Sequence, residues 1–175
     1  MVRQLFASSL LLVFVCGCPK KDPQPPAEPP KPVAQAIEDD CTFDTKLVPG
    51  VPGSPGHLIP SERNPNGDSE LAAHMRLMVD DLKDARTKVL AGQPVPALKA
   101  RHRKLRCAWP TSLSDRTPAF DAMAQAYLVK VGELDAKPAD VKAAYTGVVA
   151  ACRACHEQTC DGPIAVIDGL GLDAK

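Results

Sequence analysis

The sequence has no net charge, no long apolar run beyond its N-terminus, and no stretch of alternating apolar and polar residues. Its 21 Lys and Arg residues balance 21 Asp and Glu residues in a chain of 175. Nucleic-acid binding usually requires a basic stripe, and the locally basic segment 99–106 alternates with apolar residues as a solvated helix face does. The missing alternation argues against β-strands and against a βαβ unit. These absences predict a helical protein with no nucleic-acid partner.

The single long apolar run, residues 5–15, lies at the N-terminus behind a short basic start. It has about eleven residues, too few to span a bilayer but the right length for a signal-peptide core. The VCGC motif that follows, residues 15–18, resembles the bacterial lipobox. The resemblance implies a lipoprotein signal peptide at residues 1–17 and lipidation of Cys18. We therefore expect an exported protein, lipid-anchored to a bacterial membrane and facing the periplasm or the cell surface.

Residues 18–40 form a Pro-rich linker, with seven prolines between positions 19 and 36. Proline removes backbone donors and fixes φ, so this stretch is expected to be an extended spacer without a core. Residues 41–68 are also rich in Pro and Gly, but they carry aliphatic and aromatic side chains. We expect them to form an irregular strap on a domain that spans residues 41–175.

Apolar residues recur at helical spacing from residue 69 onward and predict four helices. Short connections favour antiparallel neighbours, so the expected fold is all-α, an up-down-up-down four-helix bundle with an irregular N-terminal extension. The expected inward stripes are Leu71, Met75, Met78, Leu82, Ala85 and Val89 on the first helix; Leu98, His102, Leu105 and Trp109 on the second; Phe120, Met123, Tyr127, Val131 and Leu134 on the third; and Val141, Ala144 or Tyr145, Val148 and Cys152 on the fourth.

Capping and helix-breaking residues set the expected limits of these helices. Each limit depends on a residue type that begins or interrupts a helix. The signals are Asp68 or Ser69 before the first helix, Gly92 and Pro94 after it, Thr117 and Pro118 at the third, Pro138 at the fourth, and Gly162 and Pro163 before a tail with at most one extra turn.

The chemistry is concentrated in the CRACH motif, Cys152 to His156. Cys-x-x-Cys-His is typical of c-type haem attachment: two cysteines three apart on a helix form thioethers, and His156 is the proximal iron ligand. A redox disulfide would require a βαβ unit. A zinc site that adds Cys160 would place four ligands within nine residues, without the usual longer separation. The motif therefore favours one covalently attached haem c, which also suits an exported protein.

The motif lies on the last predicted helix, and this arrangement resembles the cytochrome c′ family and its relative, the four-helix-bundle cytochrome b of bacterial periplasms, over residues 69–158. In the electron-transfer members, a methionine early in the first helix is the sixth iron ligand. Met75 falls at that position, faces inward, and lies level with the last turns of the fourth helix. Met78, one turn deeper, is the alternative, whereas His74 is expected off the inward stripe. Typical cytochromes c′ instead leave the iron five-coordinate.

For several other residues the sequence leaves more than one role open. Arg153 either contacts a haem propionate, as a basic residue there does in the family, or is an exposed arginine. His102 is expected to be a core histidine or one bonded to the strap. Three further cysteines, Cys41, Cys107 and Cys160, share one pole of the bundle. Any two of them could form a disulfide, and a bridge from Cys160 would hold the end of the fourth helix.

The function expected from these residues is electron transfer rather than enzymatic catalysis. Met75 and His156 as axial ligands would let the iron pass one electron to redox partner proteins. The alternative is a five-coordinate haem that binds NO or CO, as in cytochromes c′. A peroxidase-like activity is the third candidate, but no distal His and Arg pair is evident. The resemblance also implies a possible homodimer through the first helix.

Overall fold

The structure, a computed structural model, describes residues 41–174. The predicted signal peptide, the lipidation site Cys18 and the Pro-rich linker lie outside these residues. Within the described range there is no strand beyond one isolated bridge, and no helix is long and apolar enough to cross a membrane. The all-α prediction is confirmed for this part of the chain. The helices are α1 (Glu70–Leu90), α2 (Lys99–His102), α3 (Pro118–Asp135), α4 (Val141–Thr159) and α5 (Ile164–Asp168), with 3-10 turns at Arg103–Arg106 and Leu113–Asp115.

The first and third helices begin where the capping signals predict. The hydroxyl of Ser69 accepts a hydrogen bond from the Ala72 amide at 3.1 Å, and Thr117 caps α3 ahead of Pro118. The expected start of α4 at Pro138 is wrong. Lys137 adopts a left-handed φ of 54°, which reverses the chain before the proline. The helix therefore begins three residues later, behind Asp140.

The second predicted helix is much shorter than its apolar pattern indicates. A single α-helical turn gives way to a 3-10 turn at Arg103–Arg106. Two contacts account for this. The Arg116 guanidinium donates to the Arg106 carbonyl at 2.6 Å, so this carbonyl has a partner outside any helix. Cys107 is bonded to Cys41, which fixes the following backbone. Tertiary bonds thus end the helix before its propensity would.

The core follows the predicted stripes with a broader face on α3. Met123, predicted to face inward, is only partly buried, whereas Ala124 and Leu128 are buried. The pair α3 and α4 forms the most extensive contact between any two helices of residues 41–174. Inside the core, the Tyr145 hydroxyl donates to the Leu82 carbonyl at 3.1 Å. This bond links α4 directly to α1.

The segment after α4 contributes more than the one extra turn expected from sequence. Its helix α5 and the residues that follow place Ile167 and Leu170 in the interior. Tyr145 also lies within 2.9 Å of the Leu170 carbonyl. Arg86 of α1 donates to the carbonyl of Gly171 at 2.8 Å. The segment therefore closes the space between α1 and α4.

The strap, residues 41–68, is irregular, and its first half is bonded to the rest of the domain. Its first residue forms the disulfide between Cys41 and Cys107. Near its middle, the Gly53 carbonyl accepts a hydrogen bond from the amide of Glu70, the first residue of α1, at 3.1 Å. Between them, the Trp109 indole donates to the Val48 carbonyl at 2.7 Å. These bonds hold the strap against the pole where α1 begins.

Candidate haem-attachment site

The CRACH motif lies on the last two turns of α4, which continues through it to Thr159. The side chains of Cys152, Cys155 and His156 are each partly buried. Both thiols are free of disulfides. A helical segment holds residues three and four apart on one face, so these three side chains are presented together. The motif therefore has the local form that thioether attachment requires.

The end of α4 fixes the orientation of the His156 ring. Its Nδ1 lies 2.9 Å from the carbonyl oxygen of Cys160, and a carbonyl can only accept. In the neutral ring, Nδ1 therefore carries the hydrogen and Nε2 keeps its lone pair. Metal-binding histidines are commonly oriented in this way through the second nitrogen. The sequence did not reveal this contact, because it depends on the extended backbone of Cys160 at the helix end.

The two motif thiols lack the acidity of a redox-active pair. Burial raises the pKa of the Cys152 thiol to about 12, and the neighbouring Cys155 adds to the rise. Burial also raises the pKa of Cys155, against a lowering by its hydrogen bond with Thr159. Thiol–disulfide exchange uses thiolates with depressed pKa values. The environment of the pair does not favour a thioredoxin-like reaction.

The four residues considered for zinc are not assembled around one point. Within residues 41–174, no three side chains of His, Cys, Asp or Glu lie close enough to share a metal ion. Cys160 is exposed, and its carbonyl, rather than its thiol, faces His156. A zinc site here would require the end of α4 to rearrange.

Arg153 is paired with carboxylates at the surface. Its guanidinium lies 3.0 Å from Asp168 of α5 and 3.3 Å from Glu157, and its side chain is 43% exposed. The arginine also borders a groove of about 410 Å³ between α4 and the segment after α5, which Val149 and Leu172 line as well. The three residues of the motif that would bind haem do not line this groove. A propionate at Arg153 would compete with both carboxylates.

The candidates for a second iron ligand differ in burial. Met75 is partly buried and packs against the core, whereas Met78 is buried at 5% exposure. The expectation that His74 lies off the inward face is wrong, since it is only 8% exposed. Its Nε2 lies 3.4 Å from the His102 carbonyl. The inward face of α1 is wider than the Met stripe because it also receives the α2 segment.

A hydrogen-bonded network leads from Asp81 of α1 into the core. His102 is fully buried, which confirms the core histidine expected from sequence. Its Nδ1 lies 2.7 Å from the Tyr127 hydroxyl and its Nε2 lies 3.2 Å from Asp81. Burial lowers the pKa of His102, and the hydrogen bond that the ring donates to Asp81 opposes this. The pairing with Asp81 was missed, although that residue directly borders the apolar stripe of α1.

One disulfide settles the open pairing of the remaining cysteines. Cys41 and Cys107 are bonded, with their Cα atoms 5.5 Å apart. Cys160 is exposed and unbonded. Of the three pairings that the sequence left open, Cys41 with Cys107 is therefore the one that forms, and no bridge from Cys160 holds the end of α4.

Compared with protein families, curated proteins and solved structures, the chain matches none of them.

Proposed function

We propose that this chain is a monohaem c-type cytochrome that acts in periplasmic or membrane-associated electron transfer. One observation carries the proposal: the ring of His156 keeps the Nε2 lone pair available, beside two unbonded cysteines one helical turn apart. This donor set fits haem c, with Cys152 and Cys155 as thioether positions and His156 as the proximal iron ligand. Bound haem would supply one-electron chemistry. The chain itself supplies the attachment, the ring orientation and the surrounding core.

We further propose that the helices form an up-down-up-down bundle with a shortened second helix. Contacts between α1 and the α2 segment support opposite directions. Asp81 contacts His102 at 3.2 Å, while Glu70, earlier on α1, accepts from the Trp109 amide, later in the chain, at 3.0 Å. Residue numbers therefore rise along α1 in the direction in which they fall along the α2 segment, which is the pattern of antiparallel neighbours.

The same reasoning relates the α2 segment to α3. The amide of Lys99 donates to Asp135 at the end of α3, at 2.9 Å. His102, three residues later, contacts Tyr127, eight residues earlier than Asp135. The connection from α3 to α4 has only five residues, 136–140, and such short connections join antiparallel helices. In this arrangement α4 runs opposite to α1.

The position of Met75 supports its role as the sixth iron ligand. Tyr145 of α4 is bonded to Leu82 of α1. Cys152 lies seven residues after Tyr145, and Met75 lies seven residues before Leu82. Seven residues correspond to about 10 Å of rise in each helix, so antiparallel helices bring Cys152 and Met75 to the same level. Helical side chains lean toward the N-terminus of their own helix, so Met75 leans toward the motif end while His156 leans back toward Cys152. Both tips thus approach the same level.

A five-coordinate haem that binds NO or CO is the second candidate. The observation that favours it is the packing of Met75 against the hydrophobic core. Methionine commonly fills irregular space in a core without any ligand role. In that case the distal side of the iron would remain open to a diatomic gas.

The first experiment tests covalent attachment. We expect the exported protein, produced with a c-type maturation system, to keep its red colour on the polypeptide after acid-acetone extraction. Cys152→Ser and Cys155→Ser should each weaken or abolish this attachment. Cys160→Ser is the matched control and should retain the haem, since Cys160 lies beyond the helix. A colourless protein, or haem that extracts completely from the unsubstituted chain, would refute the proposal.

The second experiment tests the axial ligand. With Met75 bound, the reduced protein should show a low-spin spectrum that does not change on addition of CO. Met75→Ala should convert it to a high-spin form that binds CO, and Met78→Leu, the matched control, should leave it unchanged. A high-spin unsubstituted protein would favour the five-coordinate alternative. A change caused by Met78→Leu alone would move the ligand to Met78.

We also propose an exported, lipid-anchored location, with redox partner proteins reached by the linker. The buried disulfide supports an oxidising compartment, because such bonds are rare in the cytosol. Met/His ligation would raise the reduction potential and suit rapid exchange with these partners. Arg153 is proposed as a contact of a haem propionate. A homodimer through α1 is also proposed, and both proposals rest on the resemblance to the cytochrome c′ family.

A further inference from the structure

We propose that Tyr127 is a redox-active tyrosine: it gives one electron to the haem site when hydrogen peroxide oxidises that site, and its phenolic proton passes to Nδ1 of His102. The inference rests on the proposed haem attachment and adds a second redox centre to it. It is carried by a buried phenol whose hydroxyl faces a nitrogen base, with a carboxylate on the far side of that base.

The Tyr127 hydroxyl is placed for direct transfer of its proton to the imidazole. Tyr127 is 4% exposed and His102 is fully buried, and the phenolic oxygen lies 2.7 Å from Nδ1 of the ring. The other ring nitrogen, Nε2, lies 3.2 Å from Asp81, and an ionised carboxylate can only accept. Nε2 therefore carries the hydrogen of the neutral ring, and Nδ1 keeps the lone pair that accepts from the phenol.

The resting charges of these groups favour transfer in this direction. Burial raises the pKa of Tyr127 well above 10, so the phenol keeps its proton until an electron leaves. Burial lowers the pKa of His102 from 6.5, although Asp81 opposes this, so Nδ1 is vacant at neutral pH. Loss of an electron makes a phenol far more acidic, and the proton then moves along the existing hydrogen bond. The new Nδ1–H donates back to the phenoxyl oxygen, while Asp81 faces the imidazolium.

The only other tyrosine of the sequence, Tyr145, has no such base beside it. Its hydroxyl lies 3.1 Å from the Leu82 carbonyl and 2.9 Å from the Leu170 carbonyl. A backbone carbonyl accepts a hydrogen bond but is too weak a base to hold a proton. The electrostatic influence of Cys152 reaches both phenols, so both lie near this thioether position. The acceptor therefore distinguishes them, and Tyr127 is the one that can lose an electron and a proton together.

Tyr127 also lies near the haem-attachment motif along the helices. A Cβ added at Gly147 of α4 would meet the Lys130 side chain of α3 at 3.6 Å, which sets these two positions side by side. Because α3 and α4 are proposed to be antiparallel, Tyr127 lies beside position 150, two residues before Cys152. The axes of packed helices are about 8–10 Å apart, which is a short distance for electron tunnelling.

Electrons and protons balance for one molecule of hydrogen peroxide. Its O–O bond breaks and two waters form, which takes two electrons and two protons, and both protons come from solvent. In a domain with ferrous haem, one electron comes from the iron, which becomes ferric, and the other comes from Tyr127, which becomes a neutral tyrosyl radical. The phenolic proton stays in the core on His102. A redox partner protein later returns the electron, and the proton moves back to the phenol. Met75 as an iron ligand would slow the access of peroxide without changing this balance.

The experiment treats the reduced, haem-loaded protein with one equivalent of hydrogen peroxide, freezes it and records its electron paramagnetic resonance spectrum. We expect the signal of a neutral tyrosyl radical, which ring-deuterated tyrosine should narrow. Tyr127→Phe and His102→Gln should each abolish the signal. Tyr145→Phe is the matched control, since it removes the other buried phenol, and it should keep the signal. A tyrosyl signal that persists in Tyr127→Phe would overturn the inference.

A second measurement uses the unsubstituted protein after full exchange into D2O, which avoids a variant that fails to fold. Electron–nuclear double resonance should detect an exchangeable deuteron hydrogen-bonded to the radical oxygen, because Nδ1 of His102 donates to it. A radical on Tyr145 would face carbonyl acceptors and show no such deuteron. A haem-loaded protein that forms no tyrosyl radical, or one without this deuteron, would overturn the inference and leave the cytochrome proposal intact. A chain that binds no haem would overturn both.

Discussion

At the scale of single residues, the core tolerates the polar groups of Tyr145 and His102 because each of them has hydrogen-bonding partners. Tyr145 is fully buried and places its hydroxyl within reach of two carbonyl oxygens, those of Leu82 and Leu170. His102, also inaccessible to solvent, is satisfied by Asp81 and Tyr127. A buried polar group without such partners costs about 1–3 kcal/mol. These residues therefore specify the packing of helices as well as filling space.

The lowered pKa of His102 predicts a loss of stability in acid. The unfolded chain binds a proton near pH 6.5, whereas the folded chain, in which burial dominates, does so only at lower pH. Between these values the unfolded state holds more protons, so stability falls as pH falls, by at most about 1.4 kcal/mol per pH unit from this group. Urea unfolding from pH 7 to 4.5 measures the effect.

Two variants separate this contribution from general acid sensitivity. His102→Gln should flatten the dependence below pH 6.5, although its stability at pH 7 should be lower because the hydrogen bonds are imperfectly replaced. His57→Gln changes an exposed residue and should leave the dependence as it is. An unchanged slope in His102→Gln would show that other groups control the acid response.

The residues of the candidate site were only partly predictable from sequence. Helical periodicity placed His102 in the core because the apolar stripe passes through it. The same periodicity could not find the Cys160 carbonyl that orients His156, because backbone acceptors are the same at every position. His74 was misplaced since a simple Met and Leu stripe underestimates how wide a buried helix face becomes between two neighbours.

At the scale of elements, the long helices were predictable and the short second one was not. Helices α1 and α3 carry strong caps and repeated apolar positions, which local sequence encodes. The α2 segment carries an equally good pattern but is cut short by Arg116 and by the disulfide. Those contacts join residues distant in sequence, so no local pattern contains them.

The contact between the strap and α1 predicts a strong effect of substitution at Gly53. This glycine has a φ of 88°, and an added Cβ would lie 2.3 Å from the backbone nitrogen of Glu70. Gly53→Ala must therefore displace the start of α1. The left-handed backbone of the alanine adds a strain of about 1–2 kcal/mol. We expect a clear fall in melting temperature, measured by circular dichroism.

Gly50→Ala is the matched control for this prediction. Gly50 has a similar φ of 80°, but nothing lies within 4 Å of an added Cβ. It should therefore show the backbone strain alone. If the two variants lost equal stability, the strap would not be packed against α1 as closely as described.

At the scale of the whole molecule, the disulfide predicts a large dependence of stability on reducing agent. It closes a loop with a sequence separation of 66, and constraining an unfolded chain of that length contributes about 4 kcal/mol in the chain-entropy description. Dithiothreitol, or the double substitution Cys41→Ser and Cys107→Ser, should lower the urea midpoint accordingly. Cys160→Ser is the control and should not change it, since that thiol is unbonded.

The three-way contact at Tyr145 also constrains the order of events during synthesis. The ring joins Leu82 on α1 to Leu170, 88 residues later in the chain. Until Leu170 has left the ribosome, the hydroxyl lacks one acceptor and the space between α1 and α4 lacks its cover. The nascent chain therefore cannot finish its core early. Folding of this domain is therefore expected to follow, rather than accompany, the synthesis of its helices.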